Sequence, residues 1–341
     1  MQLMKQARGL ALAALGAAGL VVAAAGPALA SCSGAPEQSK VTMLADWLIW
    51  AQQGPMVSAR INGLYEAAGL EVEIVAPANP VDNVKMAAAR NVAFAMVDQI
   101  EFLLARQQGI PVTSIGAMIR DNTAGLVYLG DAPITGPADL KGKTIGVNPR
   151  PDLDAQVDLI LKGGGLTRAD VKIVDPGYGA VELLVSGRLD AVWTSPKFTE
   201  DFRFGEATKK AGKAPIEWIY STDHGRPDMY FYILIANQDW LEENPNTACH
   251  FMQASAAGAE AMLADPDPVI DEIARMTDFW SRDFHQAFYK GAEPHWKDAH
   301  GKLFTQDREL WLGLQAWLVE AGIMEKSEDP ALYFTNAFLP D

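Results

Sequence analysis

The sequence predicts an α/β protein of two lobes, one inserted within the other around a hinged cleft. Three observations lead there. From Val41 onward short apolar runs alternate with stretches of helical period, the pattern of a mostly parallel sheet with helices over its faces. The alternation passes through two cycles, with crossings near residues 122–129 and 223–230, and after Asn237 the chain is helical almost to its end. At 341 residues, 49% hydrophobic and 21% charged, the chain is long enough to bury two cores.

The elements follow in order. Residues 41–45 read as a strand, 55–68 as a helix opened by proline in its first turn, and 71–75 as a strand with alternating faces. A helix over 81–89, a strand over 92–97, a helix over 99–107 and a strand over 112–119 complete the first cycle. In the second, strands at 143–147, 171–174 and 189–193 enclose helices at 153–162 and 180–186. The run Gly163-Gly164-Gly165 ends the first of these helices. Residues 230–236 are too apolar for a sheet edge and read as the return into the first lobe. Helices over 245–263, 268–276, 283–289 and 307–321 finish the chain, and Trp311 and Trp317 form a core stripe on the last. The expected boundaries are 41–128 and 230–341 for lobe 1 and 129–229 for lobe 2.

The first 31 residues read as a secretory signal: Lys5 and Arg8, a charge-free run over 9–30, then Pro27-Ala28-Leu29-Ala30-Ser31-Cys32. Ala28-Leu29-Ala30 suits ordinary signal peptidase, whereas Leu29-Ala30-Ser31-Cys32 has the form of a lipobox, which would make Cys32 a lipidated first residue. The second form is preferred, with residues 32–40 as a polar linker. Both routes deliver the mature chain outside the cytoplasm, in the periplasm or cell envelope.

Charge and residue types narrow the chemistry. A net charge of −15 opposes nucleic acid as a partner. The five histidines have no i, i+4 pair for a metal and are read as surface or helix-end residues. Gly142-Lys143-Thr144 lacks the spacing of a phosphate loop, and Cys249 reads as a small apolar helix residue. No cofactor or metal is expected. The informative residues stand at predicted strand ends, where a cleft would open. Asp46-Trp47 follows the first strand and Asp98-Gln99-Ile100-Glu101 the third, Tyr178 follows Asp175-Pro176-Gly177, and Trp193 ends the last strand of the inserted lobe. A flat apolar side chain beside a carboxylate suits a planar heterocycle that donates hydrogen bonds.

Five segments carry a resemblance: Asp46-Trp47, Gly63-Leu64-Tyr65 with Ala68-Gly69-Leu70-Glu71-Val72, the run from Ala105 to Val112, Asp139-Leu140-Lys141-Gly142-Lys143, and Phe334-Thr335-Asn336-Ala337-Phe338-Leu339-Pro340. Together they resemble the NMT1/THI5-like family across essentially the whole mature chain. The resemblance implies a bilobal fold of the type II periplasmic-binding-protein kind. It further implies a monomeric receptor that passes a thiamine pyrimidine precursor, hydroxymethylpyrimidine or its formylamino analogue, to the permease of an ABC importer. Riboflavin, another heterocycle or a small organic acid is the alternative ligand; a sulfonate or similar acid would call for Arg or Lys in the cleft, which the strand ends named above do not offer. The family's fungal branch makes the pyrimidine from histidine and pyridoxal phosphate. Its anchoring lysine aligns with Val97 and its sacrificial histidine with Glu101, and its cysteine cluster has no counterpart, so synthase chemistry is not expected. Where binding members carry Pro-Asn and then histidine after Asp-Trp, this chain has residues 48–53, with Gln53 at the histidine position. The expected ligand contacts are Trp47 and Trp193 by stacking, Glu101 by its carboxylate, and Gln53, Gln99 and Tyr178 by polar contacts.

Overall fold

A computed structural model describes residues 32–120 and 123–340. The signal predicted over 1–31, and Asn122 of the first crossing, lie outside the described residues. Strands β1 (Lys40–Leu44), β2 (Glu71–Val75), β3 (Phe94–Asp98), β4 (Val112–Ala117) and β10 (Tyr232–Asn237) form one sheet in the order β2-β1-β3-β10-β4. β1 runs parallel to β2 and β3, and β10 lies antiparallel between β3 and β4. The strand sequences follow their places. Edge strand β2 alternates exposed Glu71 and Glu73 with buried Val72 and Ile74, whereas Phe94 to Val97 of central β3 are buried on both faces.

The inserted lobe holds β5 (Gly125–Leu129), β6 (Thr144–Gly146), β7 (Lys172–Val174), β8 (Ala191–Thr194) and β9 (Ile216–Tyr220), in the order β7-β6-β8-β5-β9. Its helices are α5 (Pro151–Gly163), α6 (Ala180–Val185) and α7 (Lys197–Ala211). Lobe 1 carries α1 (Gly54–Ile61), α2 (Leu64–Ala67), α3 (Asn83–Ala88), α4 (Gln99–Gln107) and α8 (Gln238–Glu243), together with the long tail α9 (Pro245–Ala264), α10 (Asp267–Met276), α11 (Arg282–Ala292) and α12 (Arg308–Glu320).

Four expectations need correction. Gly125–Leu129 is not a crossing but a strand of the second sheet, antiparallel to β8 and β9, so lobe 2 begins before the expected residue 129. Helix α7 and strand β9 were not anticipated: α7 is strongly charged, and Ile216-Glu217-Trp218-Ile219-Tyr220 alternates only weakly at a sheet edge. The expected helix over 55–68 is two, parted at Gly63, whose φ of 67° a helix interior does not accept. His285 is fully buried on α11 rather than at the surface, and burial lowers its pKa to about 4.

Residues 32–40 are not a free linker. Cys32 is joined to Cys249 by a disulfide, so its sulfur is not available for the thioether that lipidation would make. Glu37 seals the same contact, its carboxylate accepting from the backbone N–H groups of Asn246 and Thr247 and from both side chains. Against a burial effect that would raise it, these bonds hold the Glu37 pKa at about 2.

The two crossings run side by side. Phe231 N–H donates to Ile119 O at 3.0 Å, Met118 N–H to Tyr232 O at 2.8 Å, and Ser221 N–H to Ala124 O at 3.0 Å. Away from this hinge the lobes touch on both flanks. Phe198 and Phe202 of α7 meet Phe288 and Phe284 of α11 edge-on at 5.2 and 5.8 Å, and Ala155 and Leu159 of α5 pack onto the core that holds Trp317 of α12. Gly291 permits the first contact, since a Cβ there would stand 2.1 Å from that of Phe198. The result is a closed cleft.

Candidate functional site

Between the lobes, beside the hinge, lies a cavity of about 360 Å³. Lobe 1 builds its floor from the ends of β1, β3 and β10. β1 leads into Ala45, and the next residue, Asp46, turns inward at 6% exposure. Its Oδ1 accepts from Trp50 Nε1 at 3.3 Å and from Gln53 Nε2 at 2.5 Å, and the Tyr232 hydroxyl is a further partner. Gln53 Oε1 accepts from the Trp50 backbone N–H at 2.9 Å, tying the Asp46 loop into a closed ring. Burial pushes Asp46 up to about 6, although all three side-chain donors act to lower it.

Around this carboxylate stand aromatic rings. Trp50 is stacked on Phe284 (6.1 Å, 9°) and tilted against Phe288, and Trp280 is also stacked on Phe284, at 4.2 Å. Phe231 and Tyr232 line the cavity from β10 and its approach, Trp193 from the end of β8, and Trp47 from the mouth. α11 and the loop that leads into it thus deliver aromatic residues that stand more than two hundred positions from Asp46 in the sequence.

Asp98 lies at the end of β3, where one oxygen caps α4 by accepting from Ile100 and Glu101 N–H. Burial raises its pKa. Lobe 2 answers with two guanidiniums. Half-exposed Arg150 pairs with Asp152 at 2.9 Å, and although desolvation opposes its charge, the carboxylates of Asp98 and Asp152 raise its pKa. Arg203 pairs with Glu200 at 2.8 Å and lies 5.7 Å from the Trp280 ring centre. Glu200 also accepts from Thr194 Oγ1. The two arginines bring to the cleft cationic side chains that the predicted strand ends do not offer. They come from a helix N-terminus and a helix face, not from the strand ends inspected in the sequence. Both are committed to carboxylates. Thr199 Oγ1 and Trp280 Nε1 are buried against the cavity and, among the described residues, find no partner. Among the described residues no group of three His, Cys, Asp or Glu is placed to hold a metal ion.

The predicted contacts divide. Trp47, 39% exposed, and Trp193, 6% exposed, both line the cavity. Gln53 stands behind Asp46 and positions it. Gln99 is fully buried beneath the floor, its Oε1 accepting from Tyr230 N–H at 2.8 Å. Glu101, in the first turn of α4, does not line the cavity; burial and the nearby Asp98 push it up to about 7. Tyr178 is 99% exposed on a lobe 2 loop and outside the cavity. Sequence reasoning missed Arg150, Glu200, Arg203 and Trp280. The pair Asp46-Trp47 was a legible signal for Asp46, and nothing local distinguishes the other four from surface residues.

Comparison with known proteins agrees with this architecture. A formylaminopyrimidine-binding protein of Halalkalibacterium halodurans is 26% identical over 282 residues, covering 82% of this chain and 84% of the relative. A 4-amino-5-hydroxymethyl-2-methylpyrimidine phosphate synthase of Uromyces fabae is also 26% identical, over 67% of this chain and 68% of the enzyme. In fold, the chain matches the periplasmic aliphatic sulphonate binding protein SsuA of Escherichia coli with a TM-score of 0.62 at 13% identity, covering 89% of this chain and 93% of that one. The model of the family described as NMT1/THI5 like matches residues 50–269. The chain belongs to the NMT1/THI5-like family.

Proposed function

We propose that the protein is the extracytoplasmic solute-binding component of an ABC importer, holding a thiamine pyrimidine precursor of the hydroxymethyl or formylamino kind between its lobes. One observation carries the reading. The cavity at the hinge joins a buried carboxylate, Asp46, to aromatic rings from both lobes, the surroundings that suit a flat heterocycle with amino donors. Unpaired Thr199 Oγ1 and Trp280 Nε1 offer donors to an acceptor on the same ligand. A volume of about 360 Å³ lies at the small end of the range for ligand clefts and suits one ring with short substituents. The formylaminopyrimidine-binding relative supports this choice.

The protein acts on its ligand by capture alone. A synthase of the fungal kind needs a lysine to anchor pyridoxal phosphate and a histidine to consume, and the cavity lining contains neither residue type. Incubation with pyridoxal phosphate should therefore produce no absorbance of a lysine adduct. Closure follows rotation about the paired crossings, with the ligand shifting an open–closed equilibrium toward the form a permease would recognise. The working state is a monomer outside the cytoplasm, released or retained at the envelope.

Titration with 4-amino-5-hydroxymethyl-2-methylpyrimidine and its formylamino analogue, followed by tryptophan fluorescence and calorimetry, tests the assignment. Trp193→Ala should weaken binding by about 1–3 kcal/mol through lost stacking, and Tyr178→Ala should leave it unchanged. Equal losses in the two variants, or none in either, would rule the cleft out as the binding site.

A further inference from the structure

We propose that the cleft takes its ligand as a cation, with the positive charge held against Asp46 in the cavity that Trp47, Trp50 and Tyr232 help to line. The inference rests on the cleft reading above and adds the charge state of what is bound.

The balance of charges leads to it. The cavity is lined by four carboxylates, those of Asp46, Asp98, Asp152 and Glu200, and by two guanidiniums, Arg150 and Arg203. Arg150 is engaged by Asp152 at 2.9 Å and by the field of Asp98, and Arg203 by Glu200 at 2.8 Å. Asp46 is left over. Among the described residues no ion pair within 4.0 Å includes it, and its hydrogen-bond partners, Trp50, Gln53 and Tyr232, are all neutral. A carboxylate at 6% exposure without a counter-ion is costly to keep ionised. Three neutral donors still leave room among its lone pairs.

The walls supply the second half. A cation is attracted to the face of a Trp or Tyr ring; Trp50 and Tyr232 turn their N–H and O–H to Asp46, and Trp47 and Trp193 line the same cavity without a hydrogen bond to that carboxylate among the described residues. Independently of the acidic groups, Thr199 points to an occupant: it is 4% exposed, lines the same cavity, and its hydroxyl has no partner. An aminopyrimidine meets both demands in protonated form, because protonation of a ring nitrogen spreads positive charge over the ring and the amino group while its substituent oxygen can accept from Thr199.

The test compares three probes on the full mature chain at pH 8 by calorimetry: a 4-aminopyrimidine, its ring-N-methylated pyrimidinium, whose charge is fixed, and benzyltrimethylammonium. The methylated pyrimidinium should bind at least tenfold more tightly than its neutral parent despite its added bulk. Asp46→Asn should weaken it on the order of 30-fold or more and abolish the preference for the charged over the neutral pyrimidine. If Asp46→Asn does not fold, the preference of the wild-type protein between the charged and neutral pyrimidines decides alone. A neutral parent that binds as tightly as the methylated form overturns the cation proposal and leaves the heterocycle reading standing. Binding of benzyltrimethylammonium with no binding of either pyrimidine sustains the cation proposal and removes the heterocycle. Binding of none of the three overturns both.

Discussion

The two walls of the cleft are built differently. Lobe 1 presents a buried carboxylate without a counter-ion, held by Trp50, Gln53 and Tyr232 and backed by stacked rings from the helical tail. Lobe 2 presents ion pairs, Arg150 with Asp152 and Arg203 with Glu200, and a single tryptophan. The lobe 1 wall thus has unmet electrostatic demand, and the lobe 2 wall is largely satisfied before any ligand arrives. In our reading the ligand is recognised first on lobe 1, and lobe 2 closes over it through α7 on α11 and Trp193.

The sharpest way to break this contrast is to remove the ring on which the lobe 1 wall depends. Trp50 is 7% exposed, packs on Phe284 and Phe288, and donates to Asp46. Trp50→Ala should cost about 3–5 kcal/mol of stability in urea unfolding. A loss below about 1 kcal/mol would mean that the wall is not an integral part of the core.

A smaller effect is expected from the bridge between Cys32 and α9, neither end of which lines the cavity. Removing the Cys32–Cys249 bridge with Cys32→Ser should lower stability by about 2–4 kcal/mol and leave ligand affinity unchanged. Intact mass of the mature chain before and after reduction checks the bridge directly. A lipid-modified Cys32 in the native protein would overturn it.

The smallest effect concerns Glu101, which neighbours the cleft without lining it. Its carboxyl is raised from the usual 4.5 to about 7 in the folded chain. The folded state therefore holds a proton that the unfolded state has already lost, so this group adds stability as pH falls from 7 toward 4.5 and opposes folding above 7. Glu101→Gln should flatten that slope and raise stability at pH 8 by about 1–2 kcal/mol, read from unfolding curves at pH 5, 6, 7 and 8. An unchanged slope would show that Glu101 is ionised as freely as a surface carboxylate.

How much of this was legible in the sequence depended on how local each signal is. The strand–helix alternation identified most of both sheets because burial of one face imposes a period on every element, as Glu71 to Val75 shows. It failed at α7, where charged residues cover a helix that buries little, and at β5, whose apolar run fits either sheet until its partners are known. Trp47 and Trp193 were visible because cleft residues fall at strand ends. Gln99 and Gln53 lie close to the predicted strand ends, but their hydrogen bonds support the floor and neither is among the residues that line the cavity. Tyr178 follows a strand end as well, yet its loop turns the ring into solvent.

By itself the sequence determined the fold class, the family, the acidic character that opposes polyanionic partners, and the pairing of a carboxylate with tryptophan after the first strand. Each of these is a property of composition, period or adjacent residues. Only the tertiary structure decided which carboxylate lacks a counter-ion, that Arg150 and Arg203 are neutralised, that Trp280 reaches the cleft, and that Cys32 bonds Cys249. Those facts depend on residues tens to hundreds of positions apart meeting in space. Electrostatic demand and disulfide pairing are set by distance in three dimensions, which no spacing along the chain encodes.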